Sequence, residues 1–265
     1  MKALKILVCL KSVPDPEGPR SAFRVDVEAK QVVPVGIPPV INPYDENALE
    51  LALRLKERCG GSIIAINLSD KAVTPVLKKA LSVGADELIL LEDPSFRNLG
   101  SRSTAEVLCA AIGKIGGCDL VLTGRQAVDW ENGNVGLFLG EMLGIPAVNL
   151  VRSVEPEEDT ITVQRLKRVG YEVIRCPLPA VLTVSGEAGE LRLPTLKAIQ
   201  EVRKKAVTTW RAADLGIEVT GLETRRIFSL SPPPSKSRDC RYIEGESSED
   251  KGKNLALRLR EDGVV

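Results

Sequence analysis

The chemistry of this 265-residue chain is best sought in one segment, Gly124-Arg125-Gln126-Ala127-Val128-Asp129-Trp130-Glu131-Asn132-Gly133-Asn134-Val135-Gly136. From Asn132 to Gly136 it sets small residues and permissive backbone where a helix begins, and a helix start suits the close approach of a phosphate. Gln126 and Asp129 suit a ribose or a base edge, and Arg125 suits phosphate charge. An ordinary surface loop ending in a glycine-rich helix cap accounts for the same residues. Neither G-x-G-x-x-G nor G-x-x-x-x-G-K-[ST] is present, and the missing P-loop argues against ATP hydrolysis. Two further segments would share the ligand edge of an open parallel sheet. Val8-Cys9-Leu10-Lys11 closes the first strand, and Asn42-Pro43-Tyr44-Asp45 opens a helix. Asn42 before Pro43 needs no function beyond a turn. A fourth segment, residues 185–197, sets Leu191, Leu193 and Leu196 among small and charged residues. A leucine held on a loop anchors in a partner's pocket; packing back onto the core accounts for these leucines equally well.

Composition removes much other chemistry. The chain has no histidine, so Ser-His-Asp triads, Cys-His pairs and His-ligated metals are excluded. Its 36 Lys+Arg balance 36 Asp+Glu, without the basic surplus of a nucleic-acid binder. None of the six cysteines forms a C-x-x-C pair, which disfavours a zinc ribbon or an iron–sulfur ligand set. Cys9 and Cys109, in apolar patterns, read as small buried hydrophobes. Near the start only Ile6 to Leu10 is apolar, too short for a signal peptide. No segment approaches the roughly 18–20 apolar residues of a membrane span. A cytoplasmic chain without membrane insertion is expected, its chemistry carried by something it holds.

The elements that must position these segments alternate. Lys5–Leu10, Ser62–Leu68, Glu87–Leu91, Leu120–Thr123 and Ala147–Val151 are short apolar runs of the kind buried on both faces. Helices are expected from Glu46 to about Arg58, capped by Asp45, and over Lys71–Val83. Two more are expected over Thr104–Ile115, with a capping box at Ser103-x-x-Glu106, and over Val135–Leu143. This alternation predicts an α/β fold, a doubly wound, Rossmann-like parallel sheet with helices on both faces. Phe23–Val27 and Gln31–Val35 read as a hairpin. Thr160–Arg165, Tyr171–Ile174 and Ala180–Val184 read as a small antiparallel part, and Leu196–Lys205 as a short helix. Beyond Val207 the chain turns polar, with Pro232-Pro233-Pro234, a charged stretch from Ser235 to Lys253 and a short helix over Asn254–Glu261. Too few apolar residues remain there for a core of its own. Residues 1–205 are therefore expected to form the α/β domain, and residues 206–265 an arm lying on a partner.

Four motifs, in this order, resemble the β subunit of electron transfer flavoprotein. They are Lys5-Ile6-Leu7-Val8-Cys9-Leu10-Lys11, the run from Ile41 to Glu50, the run from Asp119 to Asp129, and Glu190-Leu191-Arg192-Leu193-Pro194-Thr195-Leu196-Lys197. Asp214-Leu215-Gly216 adds to them, and the likeness runs from about Lys5 to Ser231. The resemblance implies a heterodimer whose α subunit holds most of the electron-transferring FAD and is embraced by the β subunit's C-terminal extension. It implies a nucleotide at the sheet edge, contacting positions that match Cys9, Asn42, Pro43, Tyr44, Asp45 and Leu68. The remaining contacts match Gly124, Arg125, Gln126, Ala127, Val128, Asp129, Asn132, Gly133, Asn134 and Val135. In ordinary members that nucleotide is a structural AMP. In bifurcating members it is the AMP half of a second FAD, whose flavin receives hydride from NADH.

Ordinary members carry N-x-T-G before the helix at Val135, and bifurcating ones G-D-T-A-Q-V-G-P. Asn134-Val135-Gly136 is closer to the second pattern, so the expectation is FAD, with AMP as the alternative. Trp130 for glycine, Asn132 for threonine and Leu137 for proline depart from it. Arg125 is expected beside the flavin or phosphate, Asp129 and Asn132 in hydrogen bonds to the nucleotide, and no residue in acid–base work. Leu196 matches the leucine that family members insert into acyl-CoA dehydrogenase. Because the family's E-P-R-Y-P-S-L-K is altered here, another flavin-dependent dehydrogenase or oxidoreductase is expected to dock on residues 185–197. A universal-stress-type ATP-binding module would share the sheet but needs a G-x₂-G-x₉-G-[ST] loop, absent here. A structural assembly subunit with an empty site would share it as well.

Overall fold

Both faces of the first strand are covered, and that explains its unbroken apolar run. In the computed structural model, which describes residues 2–232 and 240–265, β1 spans Leu4–Leu10. Ile6 and Val8 belong to one apolar cluster with Leu49, Leu53 and Leu81, while Leu7 belongs to a second with Val107, Leu108 and Leu139. A strand between two cores has no face to give to polar residues. Pro233, Pro234 and residues 235–239 of the expected charged stretch lie outside the described residues.

The chain continues through β2 (Ser12–Val13), the hairpin β3 (Phe23–Asp26) and β4 (Gln31–Pro34), and β5 (Val40–Ile41), which pairs with β2. Next come α1 (Pro43–Cys59), β6 (Gly61–Ser69), the short α2 (Thr74–Leu77) and α3 (Lys79–Val83), and β7 (Glu87–Glu92). They are followed by α4 (Ser101–Ile115), β8 (Leu120–Gly124), α5 (Val135–Leu143) and β9 (Ala147–Pro156). β10 (Thr160–Leu166), β11 (Tyr171–Pro177), β12 (Ala180–Val184), α6 (Leu196–Arg203) and β13 (Thr208–Trp210) end this part. Nine strands form one sheet in the order β11-β10-β9-β12-β8-β1-β6-β7-β13. From β9 to β13 every neighbour is parallel, and only β10 pairs antiparallel, with β9 and β11. Buried residues of α1 and α3 belong to one cluster and those of α4 and α5 to the other, as a doubly wound α/β sheet requires.

Several local expectations are corrected. β12 is not part of the antiparallel extension: it inserts between β9 and β8, parallel to both, and all five of its residues are buried. The helix expected over Lys71–Val83 starts at Thr74 and divides at Lys78 into α2 and α3. Ser103 forms no capping box, because α4 begins at Ser101 behind Gly100. Buried inside the helix, its hydroxyl accepts a hydrogen bond from the Glu223 amide at 2.7 Å. Residues just past Val207 join the main sheet as β13, parallel to β7.

The described residues from 230 onward form a unit of their own. In it α7 (Ser248–Glu261) is capped by Ser247, whose hydroxyl accepts from the Asp250 amide, and none of its residues is buried. Among the described residues no helix is long and apolar enough to cross a membrane.

Candidate functional site: a pocket at the strand ends

The chain leaves β1 for β6 on one side and comes back to β8 on the other. The crevice at the carboxyl ends of β1 and β8 is therefore the topological switch point, where open α/β sheets bind ligands. A cavity of about 370 Å³ lies there, within the range of about 300–1,000 Å³ usual for small-molecule sites. Its walls come from Cys9 of β1 and Lys11 just after it, Asn67 and Leu68 of β6, and the segment between β8 and α5.

The first turn of α1 holds these walls together. Asn42 is completely buried; its Nδ2 donates to the Gln126 carbonyl at 2.8 Å, and its Oδ1 accepts from the Val128 amide at 3.1 Å. Asp45, expected to cap α1, does other work, since the cap position belongs to Asn42. Its Oδ2 accepts from the Lys11 amide at 2.8 Å and its Oδ1 from the Gly124 amide at 3.0 Å. One carboxyl thus ties the end of β1 to the end of β8. Gly124 is required for this approach: a Cβ there would lie 2.5 Å from Asp45 Oδ1 and 2.7 Å from Tyr44 Cβ. Burial pushes the Asp45 carboxyl up to about 7, against the hydrogen bonds from the Lys11 and Gly124 amides that favour the carboxylate.

Beyond β8 the chain turns at Gly133, whose φ of +65° is left-handed and natural to glycine. Asn134, Val135 and Gly136 border the cavity, so the amino end of α5 faces it. Within the described residues the Asn134 side chain makes no capping hydrogen bond, which leaves amide donors of the first turn for an anion. Lys11 Nζ pairs with Asp129 Oδ2 at 2.5 Å. Arg125 lies over the Tyr44 ring at 5.1 Å and donates to Gln126 Oε1 at 3.5 Å.

Of the expected contact residues, Cys9, Asp45, Leu68, Gly124, Arg125, Gln126, Ala127 and Asp129 line the cavity, as do Asn132, Gly133, Asn134 and Val135. Asn42 and Val128 stand behind it, bonded to each other, Tyr44 lies beneath Arg125, and Pro43 opens α1. Cys9 is the expected small hydrophobe and also a wall of the cavity; burial holds its thiol far above the ordinary range. Asn67 and Arg225 are among the lining residues that escaped the sequence reading. Asn67 is buried and donates to the Leu10 carbonyl at 2.8 Å; a polar residue inside the apolar run Ser62–Leu68 was its signal. Arg225 comes from the far C-terminal side and lies over the Trp130 ring at 4.1 Å. Its Nε and Nη1 are buried without a partner, and burial lowers its pKa against the pull of Asp129. Nothing local distinguishes it from its neighbour Arg226.

The leucines of residues 185–197 divide. Leu191 packs against the core, whereas Leu193 and Leu196 are 88% and 80% exposed. Their loop is fastened to α1: Asn47 Nδ2 donates to the Gly189 carbonyl at 2.6 Å and Arg54 Nη1 to the Ala188 carbonyl at 2.9 Å. Arg192 Nε and Nη2 each reach the buried Glu50 carboxylate at 3.0 Å, and Arg192 also pairs with Glu57. Burial alone would raise the Glu50 carboxyl, but hydrogen bonds from Arg192 and Arg54 hold it below its ordinary value.

Comparison with known proteins agrees with this architecture. The family described as "Electron transfer flavoprotein domain" matches residues 30–215. The chain is 38% identical over 268 residues to electron transfer flavoprotein subunit beta of Thermoanaerobacterium thermosaccharolyticum, covering 99% of this chain and 100% of that one. It is 32% identical over 267 residues to caffeyl-CoA reductase-Etf complex subunit CarD of Acetobacterium woodii, with the same coverage of each, 99% and 100%. Protein FixA of Bradyrhizobium diazoefficiens is 30% identical over 253 residues, covering 90% of this chain and 85% of FixA. The matched region contains every strand of the main sheet except β1, and with these full-length similarities it shows that the chain belongs to the electron transfer flavoprotein β-subunit family.

Proposed function

We propose that this chain is the β subunit of a cytoplasmic electron transfer flavoprotein heterodimer, and that the cavity at the ends of β1 and β8 holds an adenine nucleotide. The observation that carries the reading is the anion chemistry of that cavity. The amino end of α5 borders it without a side-chain cap, and Arg225 lines it with two buried nitrogens that have no partner. A phosphate group answers both. The cavity wall otherwise offers small residues, amides and carboxylates suited to a ribose and a base, Gln126 and Asp129 among them.

When bound, a flavin supplies the redox chemistry; this chain binds, orients and shields it, and no side chain is assigned acid–base work. Asn134-Val135-Gly136 favours the bifurcating type, with FAD in the β-subunit site and NADH as donor. Trp130, standing where bifurcating members have glycine, favours the second reading, an ordinary subunit with structural AMP. Of residues 206–265, expected as an arm, those from 230 onward are proposed to pack on the α subunit, in line with a helix α7 that buries none of its own residues. The exposed Leu193 and Leu196 are proposed to dock a flavin-dependent dehydrogenase or oxidoreductase.

Denaturing the purified heterodimer and quantifying the released cofactors tests this. A second FAD supports the bifurcating type, and AMP beside a single FAD supports the ordinary type. A heterodimer that releases no nucleotide attributable to this subunit, and takes up neither AMP nor FAD when they are added, would sink the proposal.

A further inference from the structure

The cavity holds one guanidinium that its own surroundings leave incomplete. Among the described residues that line it, the buried side-chain polar atoms without a partner are Nε and Nη1 of Arg225. A buried charged donor left unpaired is strongly unfavourable, so the folded chain keeps this side chain ready for an acceptor that it does not itself provide. The nearby carboxylate of Asp129 is already held by Lys11 at 2.5 Å. The other cations of the cavity are differently placed: Arg125 lies over Tyr44, and Lys71 is exposed to solvent.

Arg225 is also held in position. Its guanidinium lies 4.1 Å from the centre of the Trp130 ring, a flat support that suits a planar cation. Its backbone is fixed to the segment before α4: Arg225 N donates to the Asn98 carbonyl at 2.7 Å, and Gly100 N to the Glu223 carbonyl at 3.0 Å. Ser103 accepts from the Glu223 amide at 2.7 Å. The cost of ordering a long side chain for a ligand is thereby lowered before the ligand arrives.

We propose that Arg225, braced on Trp130, is a phosphate ligand of the cavity and makes the site select phosphorylated nucleotides over the free nucleoside. The proposal rests on the nucleotide reading given above and adds the residue and the part of the ligand it reads. The phosphate can belong to a mononucleotide or to the diphosphate of a dinucleotide such as FAD.

The test uses the complete heterodimer, stripped of nucleotide, with AMP, FAD and adenosine titrated separately by calorimetry into wild type and Arg225→Gln. A lost hydrogen bond between charged groups corresponds to about ten- to a hundredfold in affinity. Arg225→Gln is expected to lose that factor for AMP and FAD while binding adenosine as wild type does. Arg225→Met serves in the same way if the glutamine variant does not fold. A loss confined to FAD supports a contact to the phosphate on the flavin side. Equal losses for AMP and adenosine, or unchanged AMP and FAD affinities, would overturn the proposal. A wild-type complex that binds none of the three overturns the nucleotide reading itself, and the role of Arg225 with it. Wild-type binding of AMP that Arg225→Gln shares unchanged, FAD included, removes only the role of Arg225.

Discussion

Asp45 carries two backbone amides that come from distant parts of the chain, Lys11 at a separation of 34 residues and Gly124 at 79. The motif around it was legible as a helix start, and a capping role was the natural local expectation. Its work as a clamp was not legible, because capping rules see only neighbours in sequence. The raised carboxyl has a measurable consequence. Its folded-state pKa lies near 7 against an ordinary 3.8, so the folded state binds the proton more tightly than the unfolded chain. Stability from this group is full below about 4, falls as pH rises toward about 7, and is level above that. Urea denaturation across this window is expected to show a falling component that Asp45→Asn abolishes. The same variant sets an amide N–H against one of the two backbone donors and is expected to cost about 1–3 kcal/mol near pH 7. An identical pH slope in both proteins would assign the titration elsewhere. Asn42→Ala, which frees the Gln126 carbonyl and the Val128 amide, is expected to destabilise by a similar amount, about 1–3 kcal/mol. It should also speed hydrogen exchange in residues 126–134.

α1 serves two sites at once. Its first turn clamps the cavity through Asn42 and Asp45, and further along Asn47, Glu50 and Arg54 fasten residues 188–192. Glu50→Gln would weaken the charge-assisted hold on Arg192 and leave Glu57 as its remaining acidic partner. Arg192 is partly exposed, so solvent screening limits the loss to about 1–2 kcal/mol. Hydrogen exchange should accelerate in residues 186–193 while AMP affinity stays within twofold; protection unchanged throughout that loop would refute the fastening. At this scale the alternation of strand and helix was legible, because strands covered on both faces need unbroken apolar runs. The direction of β12 was not, since five consecutive apolar residues fit a parallel or an antiparallel neighbour alike. β13 was hidden for another reason. Thr208, Thr209 and Trp210 carry little apolar pattern, and their place is set by backbone pairing to β7.

Across the whole molecule, a chain without histidine is consistent with a subunit whose redox chemistry belongs to a borrowed group. What it contributes outward is surface. Leu193, on a loop whose base is held by α1, and Leu196, the first residue of α6, are both highly exposed. Leu196→Asp is expected to lower electron transfer to the docking flavoenzyme at least about tenfold, as loss of an anchoring contact does. Thermal stability should change by less than about 0.5 kcal/mol, because the residue is 80% exposed, and nucleotide content should be unchanged. Unaltered transfer kinetics would exclude Leu196 as an anchor. The leucines themselves were legible in the sequence, but which of them pack inward was not, for Leu191 and Leu193 differ only in where the loop turns.

The attachment of residues 223–225 to residues 98–103 also bears on the order in which the protein is made. The lining residues of β1, α1, β6 and β8 leave the ribosome early, whereas Arg225 follows well after them. On the proposal that Arg225 reads phosphate, that contact becomes available to the protein only after synthesis has passed residue 225.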